Sequence, residues 1–109
     1  MKKSKINKSN SNGSASHLVR IEFTRPGTKT VCLAGTFNDW RPASTPMIAL
    51  EEGHWAKELA LSPGRYEYLL VVDGQWMADP LAQETAPNPF GGVNSVLTVP
   101  ANNGGLNGG

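Results

Sequence analysis

The chain has 109 residues, with 12 glycines, 8 prolines, one cysteine and a formal net charge of +1. That length suits one domain, and a single cysteine, Cys32, excludes an internal disulfide and any cysteine-based metal cluster. No run approaches the roughly 18 apolar residues of a membrane span, and the lysine-led start lacks the apolar stretch of a secretory signal, so the expected setting is reducing and cytoplasmic.

Residues 1–16 carry Lys2, Lys3, Lys5 and Lys8 and no acid. They read as a disordered basic tail, since Ser- and Asn-rich sequence has little to bury. The remainder is mildly acidic. Residues 17–99 are the expected folded unit, and residues 100–109 a flexible Gly/Asn-rich tail.

No segment of the folded part keeps a 3.6-residue apolar period, whereas period-two alternation recurs. "HLVRIEFTR" sets Leu18, Arg20 and Glu22 against Val19, Ile21 and Phe23, a half-buried strand closed by the turn "RPGT". "TVCLAGTF" puts Val31, Leu33 and Phe37 on one parity, and "MIAL" is a short apolar piece before the acidic turn "EEGH". "WAKELAL" aligns Trp55, Leu59 and Leu61, with Lys57 the one polar residue in phase. "RYEYLLVVD" is the longest strand, with Tyr66, Tyr68, Leu70 and Val72 on one face and Glu67, Leu69 and Val71 on the other. Asp73-Gly74 is a type I′ hairpin signal, "QWMAD" is the return strand stopped by Pro80, and a long proline-bearing loop leads to the last strand, "NSVLTV". About seven short strands at this spacing predict an all-β, immunoglobulin-like sandwich, with a small barrel as the alternative.

Catalytic signatures are missing from the sequence. His17 and His54 lie far apart, with no serine or cysteine nucleophile in a recognisable elbow and no glycine-rich phosphate loop. Glu51 and Glu52 are neighbours on a turn, whereas glycoside hydrolysis needs two carboxylates held about 5–10 Å apart across a cleft. No convergent metal-ligand set is visible. We therefore expect neither an enzyme nor a cofactor- or metal-dependent protein. The net-negative body also disfavours nucleic acid as a partner, because phosphate binding rests on positive surface.

The tryptophans are more informative. Trp55 is in phase with core residues, but Trp40 stands beyond the Asn38-Asp39 turn and Trp76 two residues beyond the Asp73-Gly74 turn. Flat indoles flanked by Asn, Asp, Gln or Arg suit the apolar C–H face and hydroxyl rim of a sugar. Spacing alone leaves open whether these two rings cap the end of the core or line a ligand surface.

"VCLAGTFNDW", "GRYEYLLVVDGQWMADP" and "GGVNSVLTV" together resemble carbohydrate-binding module family 48, in particular the glycogen-binding domains of AMP-activated protein kinase β-subunits. Related modules precede the barrels of isoamylases and glycogen-branching enzymes. The resemblance covers about residues 18–99. It implies a non-catalytic sandwich that binds α-1,4-linked glucan. Trp40 and Trp76 match the family's stacking tryptophans, and Asn94 its hydroxyl-binding asparagine. Phe90 falls where the kinase domains have a leucine, Gly92 replaces a threonine, and Leu69 replaces a sugar-contacting lysine. Gln75 or Arg41 are the candidates to compensate for that lost hydrogen bond to sugar. The alternative is a protein-interaction module or an adaptor for glycogen-metabolising enzymes, using a face made more apolar by Leu69 and Phe90.

Overall fold

Eight antiparallel strands form two sheets in the computed structural model, which describes residues 16–101. They are β1 (His17–Thr24), β2 (Val31–Gly35), β3 (Ile48–Ala49), β4 (His54–Leu61), β5 (Gly64–Val72), β6 (Gln75–Met77), β7 (Glu84–Pro87) and β8 (Val93–Val99). One sheet has the order β1-β4-β3, the other β2-β5-β8-β7 with β6 also paired to β5. The chain is thus an all-β sandwich. Of the expected basic tail only Ser16 is among the described residues, and the Gly/Asn-rich tail lies outside them beyond Ala101.

Alternation builds the core. Ile21 and Phe23 of β1 and Trp55, Leu59 and Leu61 of β4 face Val31 and Leu33 of β2, Tyr68, Leu70 and Val72 of β5, and Val99 of β8. Leu33 and Leu70 are fully buried, and each such side chain contributes about 1.5–3 kcal/mol relative to exposure. Period two makes the register unambiguous, because a one-residue slip would send every one of these side chains to water.

Three details depart from the sequence reading. β2 ends at Gly35, so Phe37 lies in a 3₁₀ turn (Thr36–Asn38) rather than in the strand. It is still packed on the core, with its ring centroid 6.3 Å from that of Tyr68. The long loop contains β7, which pairs with β8. "ETAP" has no apolar alternation and ends in proline, which is what an edge strand tolerates and a pattern search passes over. Ile48 and Leu50 of the "MIAL" segment are exposed, and only Met47 enters the core.

Candidate functional site

β5 is the floor of the site because it changes partners along one edge. Gly64 to Tyr68 pair with β8, whereas Leu70 to Val72 pair with β6. The outward residues Glu67, Leu69 and Val71 therefore run past the end of β8 and on to β6. Trp76 lies directly across from Val71. Asn94, next to the Ser95 that pairs with Tyr68, stands on the same outward face beside Leu69. The opposite edge of β5 carries β2, with Gly35 across from Tyr68, and the turn after β2 brings Trp40 in from that side.

That turn is held by one side chain. Asn38 Oδ1 accepts from the N–H of Gly35 (3.0 Å) and of Arg41 (3.2 Å). Its Nδ2 donates to the Leu33 carbonyl (3.0 Å) and to Thr45 Oγ1 (2.8 Å). The N–H of Trp40 donates back to the Gly35 carbonyl at 2.9 Å. Asp39 and Trp40 both occupy the left-handed region, at φ 57° and 58°, a conformation that costs a bulky residue on the order of 1–3 kcal/mol and persists only where surroundings over-determine it. Gly35 is the pivot. Any side chain there would place its Cβ 2.6 Å from the Glu67 carbonyl oxygen.

Trp40, Leu69, Trp76, Phe90 and Asn94 line one open groove of ≈ 850 Å³, together with Met77, Ala78 and the loop from Asn88 to Val93. Trp76 is 50% exposed and Phe90 92%. None of the lining side chains carries a formal charge. Gly92, at the family's threonine position, is also in the lining. Gln75 is not. In β6 it has the parity of Met77, opposite to Trp76, and it borders a separate depression with Arg25, Thr28 and Asp73. Parity alone does not exclude it, since Met77 shares that parity and lines the groove. Gln75 sits across from Val72 at the hairpin end of β6, beside Asp73 and two register steps beyond Met77.

Two residues that the sequence did not single out organise the groove. Asn88 Oδ1 accepts from the N–H of Phe90 (2.9 Å) and of Gly92 (3.1 Å), closing the loop that holds Phe90 out. Asn88 Nδ2 donates to Asn94 Oδ1 at 3.2 Å. Asn94, 8% exposed, donates through Nδ2 to Glu67 Oε1 at 3.0 Å, and Arg65 donates to Glu67 Oε2 at 2.8 Å. The Asn94 hydrogen bond, followed by Arg65, holds the Glu67 carboxyl below the usual carboxylate range. The one hint in the sequence is Asn before Pro in "NPFGG", side-chain turn chemistry.

A second buried polar set pins the site from beneath. The Tyr68 hydroxyl donates to Asp79 Oδ2 at 2.6 Å, and the Asp79 N–H donates to Ser95 Oγ at 2.8 Å. Burial, reinforced by Asp79, pushes the Tyr68 phenol well above its ordinary range. Among the described residues no three His, Cys, Asp or Glu side chains converge as a metal site would require. Likewise no described helix is long and apolar enough to cross a membrane.

The family described as the glycogen recognition site of AMP-activated protein kinase matches residues 17–104. The chain belongs to this family. Among its relatives, Protein FLOURY ENDOSPERM 6, chloroplastic, of Oryza sativa subsp. japonica is 38% identical over 81 residues, covering 74% of this chain and 15% of the rice protein. The 5'-AMP-activated protein kinase subunit beta-1 of Sus scrofa is 33% identical over 73 residues, 67% of this chain and 57% of that subunit. Protein PTST homolog 2, chloroplastic, of Arabidopsis thaliana is 43% identical over 51 residues, 47% of this chain and 9% of the relative. This chain thus spans only part of the length of each. These comparisons overturn the cytoplasmic placement, because both plant relatives are named chloroplastic. An unpaired thiol says only that the fold needs no disulfide, and that does not single out a compartment.

Proposed function

We propose that this domain binds α-1,4-linked glucan without catalysing its conversion, in the groove on the outer face of β5. Trp40 and Trp76 stack glucose units, Asn94 hydrogen-bonds their hydroxyls, and Phe90 and Leu69 add apolar contact. The observation that carries this reading is the convergence of Trp40 and Trp76, delivered by β2 and β6, on one uncharged groove. Holding an indole in left-handed backbone beside that groove has a conformational cost that packing alone does not require. Gln75 takes no part. On this reading the sandwich is an immunoglobulin-like one, of the isoamylase N-terminal kind. Its shallow, neutral surface suits modest affinity for a polymer better than chemistry on it.

Titration with maltoheptaose, followed by tryptophan fluorescence, tests the proposal. Saturable perturbation at up to millimolar sugar, abolished by Trp40→Ala, is the expected result. No perturbation, or undiminished binding by Trp40→Ala, would sink it. Exposure of Phe90 favours a second reading, in which the groove also docks a glycogen-metabolising enzyme. A protein partner whose capture excess glycogen cannot displace would support that reading.

A further inference from the structure

The groove's one buried amide is oriented from both sides, and the direction of that orientation follows from donor and acceptor chemistry. Asn88 Oδ1 already accepts from two backbone N–H groups, those of Phe90 and Gly92. Its Nδ2 must therefore be the atom turned toward Asn94, and it finds Asn94 Oδ1 at 3.2 Å. On the other side Glu67 is ionised and can only accept, so it takes Asn94 Nδ2 at 3.0 Å. Arg65 occupies the second Glu67 oxygen at 2.8 Å. Reversing the Asn94 amide would set its carbonyl oxygen against a carboxylate and its NH₂ against another NH₂. A buried polar group so mispaired is strongly disfavoured.

We propose that Asn88 and Glu67 are positioning residues that fix the direction of the Asn94 amide. In that direction Asn94 keeps one N–H and one oxygen lone pair unspent. A single free donor beside a single free acceptor matches two adjacent hydroxyls of a pyranose, one accepting and the other donating. Neither Asn88 nor Glu67 need touch the sugar for this. The inference rests on the glucan-binding reading for its consequence, though not for the orientation itself.

Asn88→Asp separates two roles of Asn88. A carboxylate still accepts from the Phe90 and Gly92 N–H groups and so keeps the loop closed, but it cannot donate to Asn94. Glu67→Met removes the other anchor, while Glu67→Gln keeps an acceptor oxygen in place. Maltoheptaose affinity is expected to fall about five- to ten-fold in Asn88→Asp and Glu67→Met, the worth of one hydrogen bond. Glu67→Gln should recover most of that loss. Each effect should vanish when Asn94 is already alanine, because both residues act through it. In the sugar-free protein, the Asn94 side-chain NH₂ resonances should shift and lose their exchange protection in Asn88→Asp and in Glu67→Met.

Asn88→Asp that binds like the parent, with unchanged Asn94 resonances, would overturn the proposal. So would losses that persist in full beside Asn94→Ala, since they would then arise from Phe90 and its loop. A parent that binds no maltoheptaose would instead defeat the glucan reading, and the Asn94 resonances would still decide the orientation.

Discussion

Replacing Trp76 with alanine removes the most cleanly separable part of the proposed platform. Trp76 projects from β6 across from Val71, and it contributes nothing to the core cluster between the sheets. The ring is 50% exposed, which for a side chain of roughly 150–250 Å² leaves about 100 Å² open. A glucose unit stacked on one face covers roughly half to three-quarters of that area, and at about 25 cal/mol per Å² this gives ~1–2 kcal/mol. Trp76→Ala should therefore weaken maltoheptaose binding roughly 5- to 30-fold. Isothermal titration calorimetry at matched protein concentration measures that loss, with Trp76→Phe expected in between. Thermal melting of the same samples should shift little, because the lost contacts lie outside the core. Binding by Trp76→Ala within two-fold of the parent would refute the stacking argument, as would a loss of affinity that tracks an equal loss of fold.

Gly35→Ala should destabilise the domain by about 1–3 kcal/mol or more, visible in a chemical denaturation midpoint, because its Cβ meets the Glu67 carbonyl oxygen at 2.6 Å. The backbone there is extended at φ −165°, so the cost is steric crowding alone. Tyr68→Phe leaves Asp79 Oδ2 without its buried donor, a cost of about 1–3 kcal/mol. At roughly 4–8 °C per kcal/mol in a domain this size, melting should drop by about 5–20 °C. Glucan affinity should be flat from about pH 8 down through the usual carboxylate range and decline only below it, as Glu67 gains its proton. Glu67 has a depressed carboxyl pKa in the fold, so its contribution is fully present above the usual carboxylate value near 4.3 and is lost as pH falls through the lower folded value. Affinity that instead falls between pH 8 and 6 would point to a different titrating group.

The fold was largely legible because period-two alternation is a local signal. Val19, Ile21 and Phe23, or Leu70 and Val72, announce their face within a few residues. β7 was not legible because "ETAP" becomes a strand only by pairing with β8, with Ala86 beside Asn94. The site divides in a similar way. The Asn38-Asp39 turn and the position of Trp40 and Trp76 just beyond turns are readable in the sequence. Whether the rings share a surface is not, and neither is whether Gln75, a candidate to compensate for the missing lysine, reaches it. Pairing of β6 with β5 sets Gln75 across from Val72, at the hairpin end and away from the groove.

Sequence alone settled which residues alternate into the core, where the chain turns, and which motifs place it in its family. The first two follow from steric and solvent preferences acting over a few residues, the third from resemblance to the family's motifs. Only the tertiary structure decided that Trp40, Trp76 and Asn94 meet. They come from strands on both edges of β5, and they share a groove because β6 takes over from β8 along that strand. The Arg65–Glu67–Asn94–Asn88 chain belongs to the same class. A hydrogen bond between residues 27 positions apart has no local signature, because its direction is set by which donors and acceptors remain unspent once every strand has found its neighbour.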